Sequence, residues 1–237
     1  MRHVVGATLG LCMALGGTAE AEGRKTSEPV VVVELYTSQG CSSCPPADDY
    51  LTVLMQNPVV LPLALHVDYW DYIGWKDGFA SPKFTERQKA YAHAKGSRTI
   101  YTPQMIVGGQ EQVEGHQPGK VEAMLKRQLR APETVNLIVE RTGDVATINA
   151  SAVRPLDGPI RVQLVRYNPE ETVSIERGEN AGHTITYHNI VTSWQVLGEW
   201  DGEGPLSVTA PVPGPEPMVV ILQMSGPGPI LAAARID

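Results

Sequence analysis

Apolar positions follow two regimes along the chain, and the change between them falls near Pro132. Before it, short continuous apolar runs alternate with stretches whose apolar residues recur every three or four positions. After it, apolar and polar residues alternate, interrupted by Gly and Pro. A continuous Val-rich run predicts a buried strand, and a 3.6-residue recurrence predicts a helix. Residues 30–36 form the first such run, and residues 59–67 form the second. Between them Ala47, Leu51, Leu54 and Met55 recur at helical spacing, ending near Asn57-Pro58. Ser81-Pro82 reads as a helix start, with Ser as the cap and Pro at the first position, and Gly96 as its end. Phe84, Gln88 and Tyr91 share one face of that helix. Gly108-Gly109 lies between two short strand patterns, 104–107 and 110–114, and predicts a tight hairpin. Pro118 opens a last helix with Val121, Met124, Leu125 and Leu129 in one stripe.

The predicted order over residues 29–131 is therefore β-α-β-α-β-β-α. Residues 132–237 alternate with period two (Val135-Leu137-Val139, Val145-Thr147-Asn149, Ile160-Val162-Leu164) and carry no helical stripe. That pattern predicts an all-β, sandwich-like domain.

The chain's start changes the picture. Arg2 and His3 precede an apolar run, then small residues and Ala19-Glu20-Ala21, a small-x-small cleavage pattern. Residues 1–21 read as an export signal, too short for a membrane span, and 22–28 as a polar tether. The expected location is secreted or periplasmic. Removing the signal leaves the formal charge at −7. A mildly acidic chain without a basic cluster predicts neither nucleic acid nor an anionic membrane as partner. Of three cysteines, Cys12 lies in the signal, so Cys41 and Cys44 remain.

That pair carries the chemistry. Cys41-Ser42-Ser43-Cys44-Pro45-Pro46 follows the first strand through Thr37-Ser38-Gln39-Gly40 and opens the first helix. A helix N-terminus presents unpaired N–H groups and partial positive charge, which favours a thiolate. Cys41 is expected to be exposed and acidified as the nucleophile, with Cys44 drawn inward to resolve the mixed disulfide. A disulfide closing so short a loop removes little chain entropy, so reactivity explains the pair better than stapling. Two other classes remain open. Cys41 and Cys44 with His66, Met105 or His183 would form a copper or zinc site, although none has motif-like spacing to the pair. A non-catalytic binding module would keep the disulfide as a passive link.

With Cys41-x-x-Cys44 and Thr102-Pro103 in this order, residues 29–131 resemble the thioredoxin superfamily. The whole chain resembles a secreted thioredoxin-like family known as domain of unknown function 1223, through ELYTSQGCSSCPPAD (34–48), HVDYWDYIGWKDGFASPKFTERQ (66–88), YTPQMIVGG (101–109) and RGENAG with TYHN (177–189). The resemblance implies an α/β thioredoxin-like domain and thiol–disulfide exchange with protein or small thiols. Electrons would pass to a redox partner protein, with no cofactor. It implies a cis bond at Thr102–Pro103 and a shelf there for an extended peptide. It also implies a buried acid that accepts the resolving thiol's proton. Glu34, inside the first strand, is placed either for that role or toward a partner arginine or the domain interface. Asp68, Tyr69, Trp70 and Trp75, after the second strand, line either a substrate wall or a packing surface. The loop 177–182 either closes over the cysteines or satisfies its own polar groups.

Overall fold

The computed structural model of the protein describes residues 30–236. The expected export signal, its Cys12 and the tether lie outside the described residues. The first strand, β1 (Val31–Thr37), is buried on both faces, as its continuous Val run requires. It leads through a turn to α1 (Pro45–Met55), with both prolines in the first turn, where missing N–H groups cost least. The second strand, β2 (Val60–His66), is wholly buried and parallel to β1, so both strands end at the same edge of the sheet. A short 3-10 turn (Asp71–Ile73) and α2 (Pro82–Ala94) follow. Ser81 caps α2 by accepting from the Lys83 N–H, and Gly96 just beyond its end has φ +73°. Phe84, Gln88 and Tyr91 are all buried on one face.

Next come β3 (Gln104–Val107) and β4 (Glu111–Glu114), an antiparallel pair turned by Gly108 and Gly109. Both glycines have positive φ, 59° and 69°, which the tight hairpin demands. The third helix is α3 (Pro118–Arg130). Val121 and Leu125 are buried, while Leu129 of the predicted stripe is 46% exposed.

From Val135 onward every regular element is a strand: β5 (Val135–Thr142), β6 (Val145–Ala152), β7 (Ile160–Ser174), β8 (Thr184–Trp200), β9 (Leu206–Pro211), β10 (Met218–Met224) and β11 (Ile230–Ile236). One mixed sheet runs β11-β10-β7-β8-β2-β1-β3-β4, and a second antiparallel sheet runs β5-β6-β9. The large sheet crosses the change in sequence character at residue 132, with four strands from each side. The seam is β2–β8, a parallel contact at Ala64 and Ile190. There Asn189, at φ 48°, turns its side-chain amide onto the Pro62 carbonyl 2.8 Å away. Asn tolerates that backbone region better than most residues.

Three apolar layers result. Leu35, Ala47, Leu51, Met105 and Val121 pack α1 and α3 on one face of the sheet. On the other, Tyr36, Leu65, Phe84 and Tyr91 pack together with Val165, Val191 and Ile221, so strands from both halves share a core. The small sheet covers Val162, Leu164, Val220 and Leu222. In β6, Ala146, Ile148 and Ala150 are buried and Val145 is 47% exposed. Period two fixes the alternation, but the pairing register chooses which set faces inward.

Candidate functional site

The turn after β1 is closed by a Cys41 N–H to Ser38 carbonyl bond of 3.1 Å, and Cys44 is the N-cap of α1. Cys41 and Cys44 form a disulfide with Cα atoms 5.4 Å apart. The helix N-terminus does place the pair as the sequence predicts, but the expected exposure of Cys41 is overturned. Both cysteines are 0% exposed, although Ser42 and Ser43 between them face solvent.

The tip of the β7–β8 hairpin lies against the cysteine turn. The Asn180 side-chain amide donates to the carbonyls of Gln39 (2.9 Å) and Cys41 (3.0 Å). Beside it the Ser42 hydroxyl donates to Glu179 (2.7 Å). The loop 177–182 therefore lies on the cysteine turn rather than only satisfying itself.

The aromatic segment after β2 divides its residues. Trp70 and Trp75 meet the cysteine turn. The Trp70 indole N–H donates to the Thr102 hydroxyl at 2.7 Å, and its Cβ would lie 3.2 Å from a Cβ on Gly40. The Trp75 indole N–H donates to the Gln39 side chain at 2.7 Å, and Gly178 of the hairpin tip packs against Trp75. Tyr69 and Asp68 turn instead to α2, bonding Gln88 (3.2 Å) and Thr85 (2.5 Å). Burial pushes the Tyr69 phenol up to about 12. The Thr102–Pro103 bond is cis. Pro103 lies beside the first turn of α1, where Gly115 leaves room for both Pro103 and Ala47.

The half that carries the cysteines buries two carboxyls, Glu34 and Asp48, in different surroundings. Glu34 is bidentate with Arg87 (2.7 and 2.9 Å) and also accepts from Tyr91 (2.7 Å) and Tyr36 (3.0 Å). Arg87 in turn lies 3.8 Å over the Trp194 ring and donates to Gln223, so this network ties the two halves together. Of the places open to Glu34, it takes the arginine partner. It is not the free acid beside the pair.

That description fits Asp48, which sequence reasoning missed. Asp48 is one helical turn beyond Cys44 and donates its N–H to the Cys44 carbonyl. Side chains four apart on a helix are neighbours on one face. Asp48 is buried, and its carboxyl faces the Thr37 hydroxyl and His66. Burial raises its pKa to about 7, against the opposing pull of His66 and of a hydrogen bond from Thr37. His66 Nε2 and the Tyr187 hydroxyl are buried beside it with no protein hydrogen-bond partner. His66 Nδ1 is fixed 2.7 Å from Asp77, whose carboxylate also accepts from the N–H groups of Gln39 and Phe79. Burial pushes Asp77 up, but His66 and those N–H groups outweigh it and hold Asp77 below the usual range. Tyr187 packs edge-on to the His66 ring, and burial followed by the Asp48 charge drives its phenol up. The available signal for Asp48 was an acid four residues after a helix-capping cysteine, adjacent to the apolar stripe Ala47-Leu51-Leu54.

Among the described residues, no group of three or more His, Cys, Asp or Glu side chains is placed to hold a metal ion. His66 holds Asp77 through Nδ1 alone, and Met105, on β3, is buried in the layer under α1 and α3. Among the described residues no helix is long and apolar enough to cross a membrane.

Residues 32–223 match the model of a family described as "Protein of unknown function (DUF1223)". The chain belongs to this family. A crystal structure of protein AGR_C_4864 from Agrobacterium tumefaciens is similar to this DUF1223 chain at 35% identity and TM-score 0.74, over 88% of this chain and 95% of that one. HBP35 of Porphyromonas gingivalis is similar in fold, with TM-score 0.64 at 15% identity, over 89% of this chain and 76% of that one. Comparison with curated proteins gives no match.

Proposed function

We propose that this DUF1223 protein is an exported thiol–disulfide oxidoreductase whose N-terminal half is thioredoxin-like, acting on protein or small-molecule thiols. One observation carries the reading: a disulfide at a helix N-terminus has a buried carboxyl, its pKa raised to about 7, one turn behind its second cysteine. A passive staple has no use for a buried acid, which costs free energy wherever it is ionised without a paired cation.

The exchange balances as follows. A substrate thiolate attacks Cys41 Sγ, a new S–S bond forms to Cys41, and the Cys41–Cys44 bond breaks with Cys44 as the leaving thiolate. Asp48, neutral below about pH 7, gives Cys44 its proton. A second substrate thiolate then attacks the substrate sulfur of the mixed disulfide, releasing an oxidised substrate and Cys41 as a thiolate, and the two protons the substrate thiols gave up to solvent return to Cys41 and Asp48. The reverse sequence reduces a substrate disulfide, with Asp48 taking the Cys44 proton. Thr102 and Pro103, beside α1 and held through Trp70, form the surface along which an extended peptide lies. Tyr69 and Asp68 have no part in this reading, because their side chains serve α2.

The complete burial of both sulfurs favours a second reading, a non-catalytic module with an inert disulfide. Trapping separates the two. The Cys44→Ala protein, expressed with its export signal, is expected to accumulate mixed disulfides through Cys41, detected by non-reducing electrophoresis and mass spectrometry. Absence of any Cys41 adduct, with wild-type levels of folded protein, would establish the inert module.

A further inference from the structure

We infer that the loop 175–183 is a gate over the Cys41–Cys44 disulfide, latched by Asn180 on the carbonyls of Gln39 and Cys41. The inference rests on the oxidoreductase reading, since an inert disulfide needs no access. Thiol attack on a disulfide requires the nucleophile to reach the sulfur, and here neither cysteine exposes any surface. Some covering element must move before any exchange.

The surroundings of the pair differ sharply in how firmly they are held. On one side lie β1 and α1, anchored in the sheet core by Leu35, Ala47 and Leu51, all almost completely buried. Movement there would unpack the core. On the other side lies the hairpin tip. Beyond Tyr167, β7 residues 169–172 and 174 are exposed while still paired with β8, and the arm is held from its other side by Tyr187, packed on His66 and Phe79, and by Ile175. Past Ile175 most of the tip is exposed, residues 176, 177, 179 and 181–183 among it, so it opens locally at lower cost than the sheet core. The tip closes on itself through Ile175–His183 and Gly182–Ile175 backbone bonds, so it can move as a unit about the buried Ile175.

Its grip on the cysteine turn is small and specific. Asn180 is 3% exposed and uses one primary amide to reach two carbonyls, which only a side chain with two N–H donors on one atom can do. The Glu179–Ser42 bond is exposed and adds little. Gly178, at φ 81°, lets the loop backbone settle against Trp75 and Ile73. Opening the latch leaves both carbonyls facing the incoming solvent, so no buried acceptor is stranded. Gating by this loop would keep Cys41 from bystander thiols and admit a partner that displaces the hairpin tip.

The test is the rate at which a small phosphine, tris(2-carboxyethyl)phosphine, reduces the oxidised full-length protein. The phosphine takes oxygen from water to become its oxide, and both sulfurs become thiols. Losing two hydrogen bonds should speed reduction about ten-fold or more in Asn180→Ala. Asn180→Asp, whose carboxylate faces the two carbonyls, should be at least as fast, and Glu179→Ala within about two-fold of wild type. Unfolding in urea, followed in parallel, must show that global opening has not risen by the same factor. Wild-type rates in both Asn180 variants would overturn the gate. If those variants do not fold, hydrogen exchange of the wild-type segment 175–183 decides. Exchange faster than global unfolding supports the gate, and exchange only through global unfolding refutes it. Mixed disulfides from Cys44→Ala together with unchanged phosphine rates would sink the gate alone. Faster reduction without mixed disulfides would sink the oxidoreductase reading alone.

Discussion

Glu34 and Asp48 are both buried acids in the same half of the molecule, and they stand in opposite conditions. Glu34 has four hydrogen bonds, a guanidinium against its carboxylate and two phenols closing the remaining directions. Asp48 has no guanidinium against it, only the Thr37 hydroxyl and the nearby His66, and burial outweighs both to raise its pKa to about 7. A satisfied buried charge fixes structure, because removing one partner strands the other. A buried acid held by so little destabilises when it ionises, and its retention points to chemistry. The two positions thus separate what holds this fold from what the fold is used for.

The comparison breaks most visibly at Glu34. Glu34→Ala leaves Arg87 buried without its counter-charge and should cost about 3–5 kcal/mol. Urea unfolding measures this directly, and a loss below about 1 kcal/mol would mean that the network does not join the halves as described.

Asp48→Asn should move stability the other way, and only at higher pH. The folded pKa, about 7, exceeds the ordinary value of 3.8, so the folded state binds the proton more tightly than the unfolded state. The stability this linkage contributes is full below about pH 4 and is lost as pH rises through 7. Asn has no proton to lose. Wild type and variant should therefore match in pH dependence below pH 4, and the variant should gain by up to about 4 kcal/mol at pH 8. Thermal melts across that range check it, and a constant difference between the proteins would remove Asp48 from its buried, protonated state.

Much of this was legible from the chain. Val-rich β1 and β2, the Ser81-Pro82 start of α2, the Gly108-Gly109 turn and the helix-opening cysteines are local signals, and each appears where its residues put it. What was not legible depends on contacts between distant segments. Period two in β6 could not say whether Val145 or Ala146 faces inward, since the partner strands decide. Glu34 reads alike as a free acid or a paired one until Arg87, a full helix later, arrives beside it. Cys41 looks exposed at a helix start until Asn180, from the hairpin of the second half, binds its carbonyl. Asp48 was hidden because an acid in the first turn of a helix is ordinarily a solvated dipole partner.

The most direct measurement of the central claim is the reduction potential of the Cys41–Cys44 pair against glutathione buffers, taken from pH 5 to 9 in wild type and Asp48→Asn. An exchanging pair coupled to Asp48 predicts a wild-type potential above about −300 mV, the region below which structural disulfides lie. It also predicts a departure from the two-proton line near pH 7 that disappears in Asp48→Asn, because a nearby thiol or thiolate changes the acid's affinity for its proton. A potential below that limit, with identical pH dependence in the two proteins, would contradict the account.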